Sequence, residues 1–444
     1  MAAEPGQLIR NESPVVRAPA DAPVAIVSAF GRGNWLALEL ARQGFRVTLI
    51  DVTESLGEIA PEDAEGPFGL FEASDVPESL KTRLASEGEL LEVAGGFALW
   101  LSDGPVELRS AFVPARLKAL GLSDASVQYV SNSRAPDKEA ERALREIARA
   151  PFKSTWLAHF AHQLFSLRHE ESHRALELGH VAPIGARFSI RQATREGWSK
   201  GLDALRAAGV TVRQNASVRD LRLNGRDVDA IEVDDDHSGI ERARAFVWLV
   251  STNESKRLEK KLFETLFPGG AVEPEWYWQR HRLKLGGERP AEELPRFVAV
   301  VDDVFLPWTN GNVLILRKRK EPRSFDVWQK VPVAVLGDAP RLAQLAADAQ
   351  ARLARRMPQF EPVIEAALPA PGLPTLHGIY ADEALGDLDI LRSGNFFFCG
   401  PEHYEMLDWL GAYRAQNVVL AKLVKLKSQW DAAAAKLAAK EAAR

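Results

Sequence analysis

The chain of 444 residues is 46% hydrophobic and 26% charged, and its formal net charge is −5. These values are typical of a globular protein that has one fold with an inserted subdomain, or two to three domains. The negative balance gives no general reason to expect a nucleic acid as partner. A single cysteine, Cys399, excludes an intrachain disulfide and fits a reducing compartment.

Residues 1 to 22 are rich in alanine, proline and charged side chains, which predicts a flexible tail. This region lacks the apolar core of a secretory signal. No apolar stretch of the chain approaches the roughly 20 residues that span a bilayer. The sequence therefore predicts a cytoplasmic protein without a transmembrane segment, and its alanine and arginine content is typical of a bacterium with a GC-rich genome.

The stretch from Val24 to Asp51 predicts a strand, a helix and a second strand. An apolar, β-branched run leads into a turn with glycines, an amphipathic helix follows, and a second apolar run ends on Asp51. An acid at the tip of the second strand, about 20 residues after the turn, is where a dinucleotide-binding βαβ unit holds a ribose hydroxyl. The topology therefore indicates a nucleotide-binding fold.

The turn itself departs from the G-x-G-x-x-G pattern, whose glycines allow a tight turn, backbone approach to the pyrophosphate and close packing of helix on strand. Counting back from the glycine before the second strand places the three positions at Ser28, Phe30 and Gly33. A second register takes Gly31 and Gly33 as the first two glycines and Leu36 as the third. Both registers predict a weakened phosphate site, so an α/β unit that binds no nucleotide stays an alternative.

A helical insert is predicted within residues 136 to 185. It contains an H-E-x-x-H motif, His169 to His173, whose histidines would share one face of a helix and could bind zinc. Because Glu171 and the neighbouring arginines are charged, the motif is more typical of a solvated helix end. The same argument applies to the pair His159 and His162, and no metal site is predicted.

The next part of the chain predicts a helix and four strands. The helix is expected at 195–208 and the strands at 210–212, 217–223, 228–233 and 246–251. The last strand is a continuous apolar run, FVWLVS, which suits a strand that is buried on both faces.

This order of elements resembles a known superfamily. The βαβ unit, a large insert, the segment REGWSKGLDAL and the strands through ARAFVWLVST follow one another as in the flavoproteins that include amine oxidases, protoporphyrinogen oxidase and phytoene desaturases. The resemblance implies FAD as cofactor, with Val218 near its adenine. It also implies an α/β fold in which a Rossmann-like FAD-binding domain carries an inserted α+β substrate domain of mixed sheet and helices.

The second half of the chain continues the resemblance. Runs rich in β-formers between residues 296 and 336 predict the antiparallel sheet of the substrate domain, and a helix is predicted at 340–356. The segment from Gly394 to Gly400 and a helix at 410–426 resemble the closing motif of the family, in which a helix N-terminus faces the flavin.

Within this closing motif, Gly400 matches the strand-end glycine, and Gly411 and Ala412 match the small pair at the helix start. Pro401 occupies the usual position of an acid, and Glu402 follows one residue later. Gln416 stands where a second helix glycine is common, and bulky aromatic residues between 404 and 413 crowd the region of the isoalloxazine. The candidate cofactor-binding residues are Ser28, Phe30, Gly31, Gly33, Asp51, Val218, Gly400, Glu402, Gly411 and Ala412.

The resemblance also divides the chain into domains. A discontinuous nucleotide-binding domain is expected at 23–135, 186–255 and 375–428. A substrate or partner domain is expected at 136–185 and 256–374, and a helical tail at 429–444.

Two functions follow from these patterns. The first is an FAD-dependent oxidoreductase that transfers a hydride from a small or lipophilic substrate to the flavin, for which no catalytic residue stands out. The second is a pseudo-enzyme of the same fold that lacks FAD and acts as a binding or scaffolding module, as the Rab GDP-dissociation inhibitors do. The partner is accordingly a small molecule or another protein, and neither is identified.

Overall fold

The computed structural model of the chain describes residues 23–53, 70–71, 76–86, 90–92, 97–101, 104–107, 188–190, 195–224, 227–236, 239–257, 260–267, 269–274, 276–288, 294–301, 313–319, 321–367, 378–379, 394–403 and 409–442. The predicted tail at 1–22 and the predicted helical insert at 136–185, with its histidine motifs, lie outside these residues.

The described helices are α1 (Asn34–Arg42), α2 (Glu78–Ser86), α3 (Arg195–Ala207), α4 (Lys260–Leu266), α5 (Ala339–Arg356) and α6 (Trp409–Ala442). The described strands are β1 (Val24–Ser28), β2 (Val47–Asp51), β3 (Leu70–Phe71), β4 (Leu90–Glu92), β5 (Phe97–Leu101), β6 (Gly104–Glu107), β7 (Phe188–Ile190), β8 (Thr211–Arg213), β9 (Ser217–Asn224), β10 (Asp227–Asp234), β11 (Gly239–Arg242), β12 (Ala245–Trp248), β13 (Trp276–Leu285), β14 (Phe297–Val301), β15 (Val313–Lys318), β16 (Ser324–Pro332), β17 (Pro362–Ala367), β18 (Gly378–Ile379) and β19 (Phe396–Phe398).

A parallel sheet of five strands forms the first half of the fold, in the order β19-β12-β1-β2-β8. Every residue of β1, β2, β12 and β19 is buried. Strands that are covered on both faces are rich in apolar residues along their whole length, which explains the continuous runs VAIV and AFVW in the sequence. The prediction of a Rossmann-like α/β fold is confirmed.

Helices and a second small sheet cover this parallel sheet. Helix α1 contacts both α3 and α6. The antiparallel strands β9, β10 and β11 form a three-stranded sheet, and their buried residues join side chains of the parallel sheet in one apolar cluster. The cluster includes Val27, Phe246, Phe398, Val218 and Ile231.

A mixed sheet forms the second half, in the order β17-β13-β16-β15-β14-β5-β6, with β18 also paired to β13. Its pairs are antiparallel except for β14 with β5. Strands β5 and β6 belong to this sheet, although residues 23–135 were assigned from the sequence to the nucleotide-binding domain; the domain boundaries stay a prediction. A short sheet, β3-β7-β4, completes the described strands.

Helix α6 is one continuous helix from Trp409 to Ala442, where the sequence predicts a helix at 410–426 and a separate helical tail. Alanine, leucine and lysine dominate the joining region, so nothing in the sequence there ends a helix. The guanidinium of Arg244 lies 4.8 Å from the ring centre of Trp430. The distal half of α6 is thus in contact with the residue that precedes β12, at the amino end of the parallel sheet. Within the described ranges, no helix combines the length and the apolar character that a bilayer crossing needs.

Candidate functional site at the carboxyl ends of the parallel strands

The carboxyl ends of β1, β2, β12 and β19 bring most of the predicted site residues together. In open α/β sheets, ligands bind outside these ends, at the point where the strand order reverses. Here that point lies between β1 and β12, because β1 connects through α1 to β2 on one side and pairs with β12 on the other.

The turn from β1 into α1 is shaped by two left-handed residues, one required glycine and a hydrogen bond of its own. Phe30 and Gly31 both adopt left-handed conformations, with φ of 55° and 69°. A Cβ at Gly33 would lie 2.9 Å from the side chain of Ser28, so only glycine allows this approach of helix to strand. The Ser28 hydroxyl accepts a hydrogen bond of 2.7 Å from the Gly33 N–H. Gly33 therefore has a packing role, which the first register assigns to the third glycine of the pattern, and the choice of register stays a prediction.

Phe30 lies inside the protein, with 5% of its surface exposed. Its ring belongs to the apolar cluster that also contains Val52, Val218 and Phe398. Its N–H donates a hydrogen bond of 2.8 Å to the hydroxyl of Thr53. The side chain at the second pattern position thus belongs to the same buried apolar cluster as Val218, the residue that the resemblance places near an adenine.

Asp51, which the sequence predicts to bind a ribose hydroxyl, is buried at the end of β2. Its Oδ1 accepts hydrogen bonds from the Thr53 N–H at 2.9 Å and from the Thr53 hydroxyl at 2.5 Å. Thr53 therefore links the ends of β1 and β2 through its hydrogen bonds with Phe30 and Asp51. These bonds engage one of the two carboxylate oxygens of Asp51.

An ion pair crosses the strand ends between Arg32 and Glu254. The Arg32 Nη1 lies 3.1 Å from the Glu254 Oε2, and the two side chains are 11% and 0% exposed. The Glu254 Oε2 also accepts a hydrogen bond from the Ser251 N–H at 2.8 Å, and the Ser251 hydroxyl accepts one from the Glu254 N–H at 2.9 Å. This reciprocal pair is a capping box on the short 3-10 helix Glu254–Arg257. The Arg32 guanidinium lies 5.4 Å from the ring centre of Phe30.

Glu402 follows β19 and is 1% exposed. Its Oε1 accepts two hydrogen bonds of 2.7 Å from Thr252, one from the N–H and one from the hydroxyl. Its Oε2 has no hydrogen-bond partner among the described residues. Burial raises the pKa of Glu402 to about 7, and the nearby carboxylate of Glu254 acts in the same direction. A Cβ at Gly400 would lie 2.5 Å from Glu402 Oε2 and 2.9 Å from the Phe398 ring, so this position requires glycine.

Helix α6 begins beside these residues. Gly411 lies in its first turn, and Ala412 is buried one residue later. The Gln416 Nε2 donates a hydrogen bond of 2.7 Å to the Arg32 carbonyl, whereas its Oε1 has no partner in the described part of the chain. Gln416 stands where the family resemblance places a glycine, and its hydrogen bond joins α6 to the turn after β1. Whether the ten candidate residues bind a cofactor stays a prediction.

Sequence reasoning did not select Arg32, Thr53, Thr252 or Glu254. The spacing Ser251-x-x-Glu254 is a capping-box pattern and could have indicated the short helix after β12. The pairing of Arg32 with Glu254 joins residues 222 positions apart, and no local pattern predicts it.

No protein-family model matches the chain, and no curated protein matches it in sequence. Solved structures do match in fold. A triple mutant of putrescine oxidase, from a redesign of its cofactor binding, aligns with 91% of this chain and 99% of its own at a TM-score of 0.55 and 15% identity. The chain has the fold of putrescine oxidase.

Two further solved structures also match the chain in fold. An oxidoreductase from Methanosarcina mazei aligns over 89% of this chain and 100% of its own, with a TM-score of 0.53 and 12% identity. Wild-type putrescine oxidase bound to putrescine aligns over 91% and 99%, with a TM-score of 0.53 and 14% identity. At such low sequence identity these matches show the fold alone, so the chemistry of the site is argued from the residues of this chain.

The residues at the turn after β1 do not fit the adenosine diphosphate half of FAD. A pyrophosphate needs close approach to backbone N–H groups at this turn. Here the Gly33 N–H donates a hydrogen bond to the Ser28 hydroxyl and the Phe30 N–H donates one to the Thr53 hydroxyl, so two N–H groups of this turn already have partners in the chain. The α6 end differs, because Glu402 Oε2 and Gln416 Oε1 are buried acceptors without a described partner.

The described residues contain no group of three or more histidine, cysteine, aspartate or glutamate side chains that could hold a metal ion. Cys399 is fully buried at the end of β19, and burial raises the pKa of its thiol well above the ordinary value. A thiol in this state is unreactive.

Proposed function

We propose that this protein is a non-catalytic member of the FAD-dependent oxidoreductase fold, in which the chain's own side chains close the nucleotide groove and the fold acts as a binding module. The observation that carries the proposal is the buried Phe30 ring at the pattern position where the pyrophosphate would meet the helix. The partner that the module binds is a small molecule or a protein.

The energetics of the turn support the proposal. A non-glycine residue with positive φ costs about 1 kcal/mol or more in backbone strain. Burying a phenylalanine side chain contributes roughly 1.5 to 3 kcal/mol. The burial of Phe30 therefore offsets the strain at this position, so the protein's own core holds the turn in its conformation and no ligand is needed to do so.

A second candidate is a flavin-dependent oxidoreductase that takes a hydride from a small or lipophilic substrate. The fold and the two buried acceptors, Glu402 Oε2 and Gln416 Oε1, favour it, because hydroxyl groups of a ligand such as a ribityl chain could donate to them. Bound flavin would supply the hydride acceptor. Glu402 and Gln416 would then position the ligand.

The test is the absorbance spectrum of the purified protein between about 350 and 500 nm, followed by addition of FAD and a second spectrum after gel filtration. The proposal expects a colourless protein that retains no added FAD. A flavin spectrum near one equivalent would overturn it and support the oxidoreductase.

A further inference from the structure

Helix α6 carries a row of lysines on its exposed side. An α-helix turns by about 100° per residue, so positions 418, 422, 425, 429, 436 and 440 fall within a strip about 60° wide along this helix. All six residues are exposed. Four of them are lysines, and together they are called the lysine face: Lys422, Lys425, Lys436 and Lys440.

A different side of α6 packs on the protein and fixes the direction of the lysine face. Val419 and Leu423 are fully buried. The ammonium group of Lys427 lies 5.9 Å from the ring centre of Phe45, and Trp430 contacts the Arg244 guanidinium. The helix is therefore held against the protein along this side, and the lysine face points outward.

No acid of α6 neutralises the lysine face. Side chains three or four positions apart are neighbours on a helix. Two of the four lysines stand three positions apart and the other two stand four positions apart, whereas neither acid of the helix has this spacing to any of them. Asp431 pairs with Lys427 at 2.8 Å.

The surroundings do not neutralise it either. None of the four lysines forms an ion pair with another residue in the part of the chain that the structure describes. Like charges at these helical spacings destabilise a helix slightly. The stability of α6 therefore does not explain why the lysines share one side, and an anionic partner would remove their repulsion.

The shape of the lysine face favours a flat partner. It extends over 18 residues of one continuous helix, which corresponds to about 27 Å. A helix that enters a groove of duplex DNA needs free flanks, but α6 packs on the protein as far as Trp430. Single-stranded nucleic acid is held by stacking on aromatic side chains, and the lysine face has none.

We propose that the lysine face of α6 binds the anionic head groups of a lipid bilayer and holds the protein at its surface. The ammonium groups pair with lipid phosphates and carboxylates, and the aliphatic stems lie along the boundary of the head groups. Each lysine near such a surface strengthens binding about fivefold. The formal net charge of the whole chain is −5, so repulsion of its other surfaces turns α6 toward the bilayer. This proposal does not rest on the proposed function.

The direct test is sedimentation of the full-length protein with two kinds of vesicle. The first contains equal parts of phosphatidylcholine and phosphatidylserine, and the second contains phosphatidylcholine alone. The protein is expected to bind the first kind and not the second. Raising the salt concentration from about 0.1 M to about 1 M should release it, because the Debye length falls from about 10 Å to about 3 Å. Equal binding to both kinds, or binding to neither, would overturn the proposal.

Paired variants assign the binding to this helix. Lys436→Gln/Lys440→Gln is expected to weaken binding to the anionic vesicles about 25-fold, and glutamine preserves the helix because its propensity is close to that of lysine. Lys436→Arg/Lys440→Arg should bind as the wild type does. The matched control is Lys260→Gln/Lys261→Gln, which removes two exposed lysines of α4 and should leave binding within about twofold of the wild type.

The comparison of variants also separates the lipid surface from other anions. An equal loss of binding in the two glutamine variants would show that only the net charge matters, and it would contradict a site on α6. Duplex DNA is added as a competitor. If it binds through the same lysines while the anionic vesicles do not, the partner is a nucleic acid and the proposal fails.

Discussion

The two parts of the candidate site, the turn after β1 and the start of α6, differ in how their polar groups are satisfied. At the turn after β1, the Ser28 hydroxyl accepts a hydrogen bond from the Gly33 N–H and the Thr53 hydroxyl donates one to Asp51 Oδ1, so these groups have partners within the chain. At the start of α6, Glu402 Oε2 and Gln416 Oε1 are buried without a described partner. The polar groups at the turn after β1 are therefore satisfied inside the chain, whereas two buried acceptors at the start of α6 lack a partner among the described residues.

The largest expected effect comes from removing the ion pair that joins the turn after β1 to the short helix after β12. Arg32→Met leaves the fully buried carboxylate of Glu254 without its cation. Breaking one partner of a buried pair costs about 3 to 5 kcal/mol, so urea unfolding should show a loss of about 3 kcal/mol or more.

Arg206→Met is the matched control for that change. Arg206 pairs with Asp203 at 2.9 Å, but their side chains are 46% and 69% exposed. Exposed pairs contribute about 0 to 1 kcal/mol. Equal losses in the two variants would show that the Arg32 pair does not hold the strand ends together.

The second effect is the pH dependence of stability at the α6 end. Because burial raises the pKa of Glu402 to about 7, the folded state binds more protons than the unfolded state above the ordinary value of 4.5. The free energy of unfolding should therefore fall as the pH rises from 4.5 to about 7, by up to about 3 kcal/mol.

Glu402→Gln should remove that fall and make the protein more stable than the wild type at pH 8. Glu321→Gln serves as the control, because Arg319 lowers the pKa of Glu321 and no titration of this group is expected between pH 5 and pH 8. Urea unfolding at several pH values checks both. If the free energy of unfolding of Glu402→Gln falls with pH as that of the wild type does, another group causes the fall.

The smallest effect is the steric requirement at the end of β19. Gly400→Ala would place a Cβ 2.9 Å from the Phe398 ring, inside the same apolar cluster that holds Phe30. Overpacking of this kind costs about 1 to 3 kcal/mol. Gly337→Ala is the control, since nothing lies within 4 Å of a Cβ there. A thermal melt that shows no difference between them would contradict the packing at this end.

The sequence analysis predicted the parallel sheet well, because its strands are buried on both faces and read as apolar runs. The runs VAIV and FVWLVS predicted β1 and β12, although β12 ends at Trp248, and α5 was expected within one residue of its observed bounds. A close approach of helix and strand does occur at Gly33, while the register of the glycine pattern stays a prediction.

The chemistry of the site was harder to predict, because it depends on contacts between distant residues. The hydrogen bonds of Thr252 to Glu402 span 150 positions, and the contact of Gln416 with the Arg32 carbonyl spans 384. Hydrophobic periodicity carries no information about such pairs. Phe30 was visible as a conflict between the glycine pattern and a bulky residue, but only the structure places its ring inside the core.

The most direct measurement of the central claim is an FAD titration, followed by flavin fluorescence, of the wild type and of the double variant Ser28→Gly/Phe30→Gly. The control is Ser28→Gly/Phe30→Leu, which keeps an apolar side chain at position 30. The account predicts that only the double glycine variant takes up FAD, because glycine reopens the approach to the backbone and tolerates the positive φ at position 30. Binding of FAD by the wild type with the same affinity as the double glycine variant would contradict it.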